Sequence, residues 1–346
     1  MMHKTVDHHH PKGFFSYSGN HLNFTGFSQA FFYIIAFLSI TCLLLIWLFH
    51  RQIKQKYLVK IKLFYLQKRT FWLLFGLIIL LGMVIHIIIL AADKFHRAWE
   101  YLPFHFCRIL MLLIALSLIF NKLHYVKYYG FLAIISGLLA LVKVDFNFTQ
   151  EEGKDIIFPI GIDNWYYWDY LFAHVFVLLM PAVMYALSNN KIRFKDSIFT
   201  VIFFSTLSLT MFLINWITYT YSKKLTWKTM NYFYLGPNEY NGFRDFMGPL
   251  SKWPYSLFTY IFLGILAVII STIFYCFQDK IHLAKVENKR VLKWIKSENW
   301  KIYRSSFNTR NQKNDELNSS SKDLENCQDN NDSIENNKEN ISQTVD

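Results

Sequence analysis

Three side chains that could do chemistry stand close together in one apolar segment. His105, Cys107 and Arg108 lie near the start of an apolar run that extends to about residue 120. An arginine in membrane hydrocarbon costs about 2.5–3.5 kcal/mol on insertion scales, so such residues persist where a cavity, a partner or a reaction uses them. The segment therefore predicts a functional site inside a membrane.

The chemistry that these residue types can perform is acyl transfer. A cysteine thiolate can attack an ester carbonyl to form a thioester, while a histidine takes the thiol proton and returns it to the leaving alcohol. His105 and Cys107 are separated by about 200° around a helix, so they cannot share a face. The partner of Cys107 must then come from another segment, and His174 and His86 are the candidates.

Each of these residues also has a purely structural explanation. A cysteine in an apolar helix is usually a small buried hydrophobic residue, which is our interpretation of Cys42 and Cys276. His86 and His174 could be buried histidines bonded to a carbonyl or hydroxyl oxygen. Arg108 could extend to the outer headgroups or bind a lipid phosphate there. The sequence leaves these alternatives open.

The spacing of the cysteines and histidines argues against a bound metal. None of the four cysteines has metal-ligand spacing to another cysteine or to a histidine, so we predict no metal, no other cofactor and no disulfide framework. The catalytic motifs GxSxG and HExxH do not occur in the sequence, nor does a glycine-rich phosphate loop.

The composition is that of a membrane protein. Of the 346 residues, 53% are hydrophobic and only 17% are charged, against about 25% charged in an ordinary soluble domain. The net charge is +12, and residues 305–346 hold nine acidic and four basic residues, so the rest of the chain carries +17. Because most of these basic residues flank apolar runs, they indicate anionic lipid headgroups, and we do not expect a nucleic-acid partner.

Seven apolar runs are long enough to predict transmembrane helices, since a span needs about 20 apolar residues. The predicted fold is an all-α, polytopic membrane domain over residues 30–277. Its spans are 30–49, 71–92, 102–120, 128–144, 168–187, 197–217 and 256–277. The fourth is the weakest, because it is short and ends at Lys143. We expect a multi-pass protein of the cell membrane with membrane lipids as partners.

Loop charges predict the orientation of these spans. Residues 51–69 carry seven basic and no acidic residues, which places the N-terminus outside and the C-terminus inside. Residues 1–29 are then a polar external segment. Residues 278–304 are a basic juxtamembrane segment that could contact anionic inner-leaflet lipids, either as a helix lying on that leaflet or as a solvated helix continuing the last span. Residues 305–346 have the composition of a disordered tail.

This topology predicts a polar pocket in the outer half of the membrane. His86, Cys107 and His174 would lie about 8–9 Å below the outer boundary, at 1.5 Å per residue. Asn215 would lie near the outer end of the sixth span, and the second, third, fifth and sixth spans would line the pocket. The candidate substrate-binding residues are His86, His105, Arg108, Asn215, Asn231 and Tyr232.

The loop between the sixth and seventh spans is rich in aromatic residues and carries Gly-Pro pairs, among them Gly236-Pro237. This pattern predicts an ordered cap over the pocket at the outer interface. An aromatic belt without a capping role explains the same residues.

Several of these motifs resemble the transmembrane protein 164 family, which includes the YwaF-like bacterial membrane proteins. The resemblance covers residues 25–280. It rests on Leu102-Pro-Phe-His-Phe-Cys107, His174, Asn231-Tyr232 and Trp253-Pro-Tyr255. The resemblance implies a Cys/His-dependent acyltransferase that remodels phospholipid acyl chains, with a fold related to membrane hydrolases of fatty-acid esters. It also implies that Cys107 is the nucleophile and His174 its partner. Arg108 has no place in the family pattern.

Two functions are therefore open. The first is acyl transfer or ester hydrolysis on a membrane lipid through an acyl-thioester. The second is a non-enzymatic transporter or lipid- or ion-binding membrane protein, in which the histidines and Arg108 serve binding or proton movement.

Overall fold

The structure, a computed structural model, describes most of the membrane domain. The described residues are 13–16, 21–93, 95, 98–144, 146, 160–188, 190–222, 230–237, 248–286 and 289–307. The helices in these residues are α1 (Gly26–Leu48), α2 (His50–Val59), α3 (Lys68–Ala92), α4 (Phe106–Ile119), α5 (Val126–Val142), α6 (Trp165–Leu187), α7 (Phe194–Ser222), α8 (Tyr255–Gln278) and α9 (Glu298–Ser305). Two antiparallel hairpins pair β1 (Lys62–Leu63) with β2 (Leu66–Gln67), and β3 (Ile281–Val286) with β4 (Lys289–Trp294).

Six of the described helices are long and apolar enough to cross a membrane. They correspond to six of the seven predicted spans and confirm an all-α, polytopic membrane protein. The remaining span, predicted at 102–120, is shorter than expected. Its helix α4 has 14 residues and is preceded by a 3-10 turn at Ala98–Tyr101. Pro103 explains the late start, because proline disfavours helical backbone in the residue before it. The span predicted to be weakest, by contrast, forms a helical segment of 20 residues, Leu123–Val142.

Contacts between helix ends show that the long helices alternate in direction. At one end of the bundle, Arg51 after α1 donates to the carbonyl of Asp279 after α8, at 3.1 Å. At the other end, Asn164 before α6 donates to the carbonyl of Ser16, and the Ser16 hydroxyl donates to Asp93 after α3. The described N-terminal residues and the end of α8 therefore lie at opposite ends. Which end faces the cell exterior stays a prediction.

The backbones of α5 and α6 approach closely where these two helices cross. A Cβ atom on Gly137 would lie 2.9 Å from the backbone nitrogen of Leu178 and 3.0 Å from the carbonyl oxygen of His174. Only glycine allows this approach, since any side chain would meet the backbone of α6. Around the crossing, Tyr167, Leu171 and Leu178 of α6 are fully buried. This contact therefore fixes the position of α6 along the axis of α5.

The basic segment after α8 corrects one prediction. Residues 281–294 form a β-hairpin, and only Glu298–Ser305 is helical, so neither helical interpretation of residues 281–304 is right for the hairpin. Helix α9 is attached through Ser297, whose hydroxyl lies 2.6 Å from an Asp279 carboxylate oxygen. Residues 147–159 and the residues from 308 onward, which were predicted to form a disordered tail, lie outside the described residues.

Candidate functional site

A buried charge cluster joins three helices near the end of the bundle where α4 and α6 begin. Arg108 of α4 forms a two-pronged ion pair with Asp169 of α6: Nη1 donates to Oδ1 at 3.3 Å and Nη2 donates to Oδ2. The two side chains are only 17% and 11% exposed. This paired geometry is the strongest hydrogen-bonding arrangement that an arginine makes with a carboxylate.

His86 of α3 completes the cluster. Its Nδ1 lies 3.1 Å from Asp169 Oδ2, and its Nε2 lies 3.3 Å from Arg108 Nη2. Because a guanidinium nitrogen can only donate, Nε2 must accept, which assigns the ring proton to Nδ1 on the side of Asp169. The three residues then carry one positive and one negative charge with a neutral imidazole between them.

The position of Asp169 follows from the start of α6. The Asn164 side chain accepts from the backbone nitrogen of Tyr166 at 2.7 Å, which caps the helix just before Trp165. Asp169 comes in the second turn, on the side that faces α4. The sequence analysis missed this residue. An acidic residue within the predicted span 168–187 is the sequence signal that could have identified it.

Cys107 occupies the second position of α4, whose N-cap residue is His105. The Cys107 thiol lies near the hydroxyl of Ser136 on α5 and near the guanidinium of Arg108. The Ser136 hydroxyl donates to the carbonyl of Ala133 at 2.9 Å.

His174 of α6 is held by its own helix. Its Nδ1 lies 2.6 Å from the carbonyl oxygen of Tyr170, and the Tyr170 ring packs against the imidazole with centroids 4.1 Å apart. This bond places the proton on Nδ1 and leaves Nε2 with a lone pair, the form that can accept a proton. Within the described residues, His174 makes no hydrogen bond to Cys107. Both residues lie next to adjacent positions of α5. The Cys107 thiol is near Ser136, and the backbone carbonyl of His174 contacts Gly137.

Asn231 and Tyr232 belong to a short segment, residues 230–237, which we call the cap segment. Asn215 of α7 is fully buried and makes two hydrogen bonds to the Tyr232 backbone: its Nδ2 donates to the carbonyl at 2.8 Å and its Oδ1 accepts from the amide at 2.9 Å. Asn231 Oδ1 accepts from the amide of Gly236 at 2.9 Å. Both asparagines therefore shape the backbone of the cap segment.

The cap segment packs on the beginning of α4. The ring centroids of His105 and Tyr234 are 5.0 Å apart, and those of Phe104 and Tyr232 are 5.6 Å apart. His105 thus faces the cap segment, whereas Arg108 faces Asp169. An ordered, aromatic structure therefore covers the α4 terminus that carries Cys107.

The described residues contain no group of three or more His, Cys, Asp or Glu side chains placed to hold a metal ion. The cysteines at positions 42, 107 and 276 are free and lie in α1, α4 and α8.

The fold and the buried cluster define a polytopic helical membrane protein with a polar site enclosed by α3, α4, α5 and α6. Over residues 23–272 the sequence matches the TMEM164 family, and the chain belongs to that family. No curated protein and no solved structure matches the chain. The family membership confirms the resemblance that the sequence motifs indicated.

Proposed function

We propose that this integral membrane protein is a Cys/His-dependent acyltransferase or ester hydrolase that acts on membrane lipid through an acyl-thioester at Cys107. The observation that carries the proposal is the placement of Cys107. It lies in the first turn of α4, next to the largely buried Arg108. Its thiol is near Ser136 of α5, and the adjacent residue Gly137 contacts the backbone of His174. The resemblance to acyltransferases of the same family supports this assignment.

In the proposed reaction, His174 Nε2 accepts the thiol proton as the Cys107 sulfur attacks the ester carbonyl of a lipid. The carbon–oxygen bond to the leaving alcohol breaks, and His174 returns the proton to that alcohol oxygen. A second alcohol or water then attacks the thioester, His174 takes its proton, and the thiolate leaves and is protonated again. The proposal requires the thiol to come within hydrogen-bond reach of His174 Nε2 when the substrate is bound.

The charge cluster has a positioning role in this proposal. The Arg108–Asp169 ion pair ties the first turn of α4 to the second turn of α6, the helices that carry the nucleophile and the base. His86 holds the same carboxylate from α3. Because Asp169 already balances the charge of Arg108, a lipid phosphate would have to compete with that carboxylate.

The same cluster supports a second candidate function. A buried arginine, aspartate and histidine within membrane helices are also the residues of proton relays and of ion or lipid carriers. A carrier built on His86, Arg108 and Asp169 would not need the thiol and would tolerate serine at position 107.

Labelling with an activated-ester lipid distinguishes the two functions. The purified protein in lipid vesicles is incubated with a p-nitrophenyl ester of a long-chain fatty acid, and adducts are mapped by mass spectrometry. We expect an adduct at Cys107 that is lost in Cys107→Ala and falls at least tenfold in His174→Ala, since general-base catalysis contributes about 10²–10⁴-fold. Cys276→Ala is the matched control, because Cys276 is a buried cysteine of α8 with no part in the proposal. Absence of the Cys107 adduct, or equal labelling in His174→Ala, would reject the enzyme.

The proposal includes the cell membrane as the location, with the N-terminus outside. The seven basic residues of positions 51–69 support this orientation. It places the hairpin β3–β4, whose sequence carries four lysine or arginine residues, on the inner leaflet, where anionic lipids would attract it.

A further inference from the structure

An apolar groove runs along α3, α4 and α6 beside the charge cluster. It encloses about 360 Å³ and is lined by Ile79 and Gly82 of α3, Met111 of α4, and Phe172, Ala173 and Phe176 of α6. A volume of about 300–1,000 Å³ is usual for small-molecule sites. The groove lies between membrane-crossing helices, so hydrocarbon is the medium at its mouth.

One end of the groove contains a charged residue and is flanked by two aromatic side chains. Asp169, whose carboxylate pairs with Arg108, contributes to its wall. Phe14 and Trp165 also line it, and they are joined by a backbone hydrogen bond of 2.8 Å from Trp165 to the carbonyl of Phe14. The groove thus leads from apolar walls to the charged residues next to Cys107.

The two glycines of α3 show that the groove is not a by-product of close helix packing. A Cβ atom on Gly76 would lie 2.8 Å from the Ala115 carbonyl and 2.7 Å from the Ile119 side chain, so Gly76 serves the contact with α4. A Cβ atom on Gly82 would meet no atom within 4 Å. Helix packing therefore does not require glycine at position 82, and the missing side chain leaves the groove open.

We propose that this groove binds one acyl chain of a membrane lipid, with the carbonyl end of the chain towards Asp169 and Arg108. The inference deepens the proposed function, on which it rests for the identity of the ligand. Met111 lies one helical turn beyond Cys107 on the same side of α4, so a chain along Met111 ends near the nucleophile. Lipid can enter from the side, because Phe172 on α6 and Ile78 on α3 are 60% and 62% exposed.

Photo-crosslinking tests the groove without requiring turnover. The protein is placed in vesicles of phosphatidylethanolamine and phosphatidylglycerol that contain a phosphatidylglycerol with a diazirine on one acyl chain. Adducts are mapped for the wild type, Gly82→Phe and Gly264→Phe. Gly264 of α8 is the matched control, since it is also a helical glycine with no atom within 4 Å of a Cβ, and it does not line the groove.

We expect wild-type adducts to be enriched at Met111, Ala173 and Phe176 over exposed positions such as Phe262. In Gly82→Phe the groove adducts should fall at least fivefold, whereas Gly264→Phe should retain them. Uniform labelling of the lipid-facing surface in the wild type, or equal labelling in the two phenylalanine variants, would overturn the inference. A wild-type protein that shows the groove adducts but no activated-ester adduct at Cys107 would reject the enzyme and leave the groove proposal intact.

Discussion

At the scale of single residues, Asp169 decides the electrostatics of the site. It neutralises Arg108 through two hydrogen bonds and lies 3.1 Å from His86, so one carboxylate serves two partners from two other helices. Leaving one charge of a buried pair without its partner costs about 3–5 kcal/mol. The cluster is therefore a strong constraint on the relative placement of α3, α4 and α6.

Replacing one member of the ion pair should cost more stability than replacing both. We expect Asp169→Asn and Arg108→Met each to lower the free energy of unfolding by about 3 kcal/mol, because each leaves a buried charge uncompensated. The double variant should be more stable than the sum of the two losses predicts. Thermal unfolding in detergent, run as a double-mutant cycle, measures the coupling. Additive losses would show that the two charges do not depend on each other.

At the scale of elements, the crossing of α5 and α6 places the two candidate catalytic residues. Gly137 allows α5 to reach the His174 carbonyl, and the neighbouring Ser136 meets the Cys107 thiol. The cap segment then encloses the same end of α4, held by the Asn215 side chain. The site thus depends on the contact between the backbones of α5 and α6 and on the hydrogen bonds that hold the cap-segment backbone to α7.

A side chain at position 137 should separate α5 from α6. We expect Gly137→Leu to lower the melting temperature by several degrees and to reduce Cys107 labelling, because its Cβ alone would lie 2.9–3.1 Å from backbone atoms of α6. Gly264→Leu should leave both nearly unchanged, because its Cβ meets no atom within 4 Å. The comparison uses thermal unfolding and the activated-ester assay. Equal effects of the two substitutions would argue against a tight crossing.

Loss of the Asn215 amide should loosen the cap segment. In Asn215→Leu, the carbonyl and amide of Tyr232 lose their partners, and a lost buried hydrogen bond costs about 1–3 kcal/mol. We expect hydrogen exchange to become at least tenfold faster in a peptide covering residues 230–237, while α3 is unaffected. Thr210→Val is the control, since Thr210 lies on the same helix and bonds only the Thr206 carbonyl. Unchanged exchange would show that other contacts hold the segment.

At the scale of the whole molecule, seven helical segments in the described part of the chain alternate in direction, with the described N-terminal residues and the end of α8 at opposite ends of the bundle. The shortest is α4, whose 14 residues span about 21 Å at 1.5 Å per residue. The cap segment packs on the beginning of α4, through Tyr232 on Phe104 and Tyr234 on His105. The end of α4 that bears the site is therefore covered by protein.

The orientation of the bundle can be tested by cysteine accessibility. In a background where the native cysteines are alanine, we expect Leu250→Cys to react with a membrane-impermeant maleimide in intact cells. Tyr65→Cys, at the fully exposed tip of the first hairpin, should react only after permeabilisation. These results follow from the basic first loop, which the positive-inside rule places in the cytoplasm. The opposite pattern would invert the topology and move the site to the inner half of the membrane.

The sequence by itself determined the class of protein, the family and most of the helices. Runs of about 20 apolar residues can exist in a membrane only as helices, so composition and length were sufficient for six spans. The motif around Cys107, with His174, indicated the family that the comparison confirmed.

Only the tertiary structure decided which polar groups meet. Arg108 and Asp169 are 61 positions apart, and His86 lies on a third helix, so no local spacing could pair them. The sequence analysis also missed the late start of α4 and the pairing of Ile281–Val286 with Lys289–Trp294, because turns and contacts with neighbouring segments influence such boundaries. Helix rotation sets the partners of a buried charge, and rotation is fixed by packing across the bundle, as at Gly137 against α6.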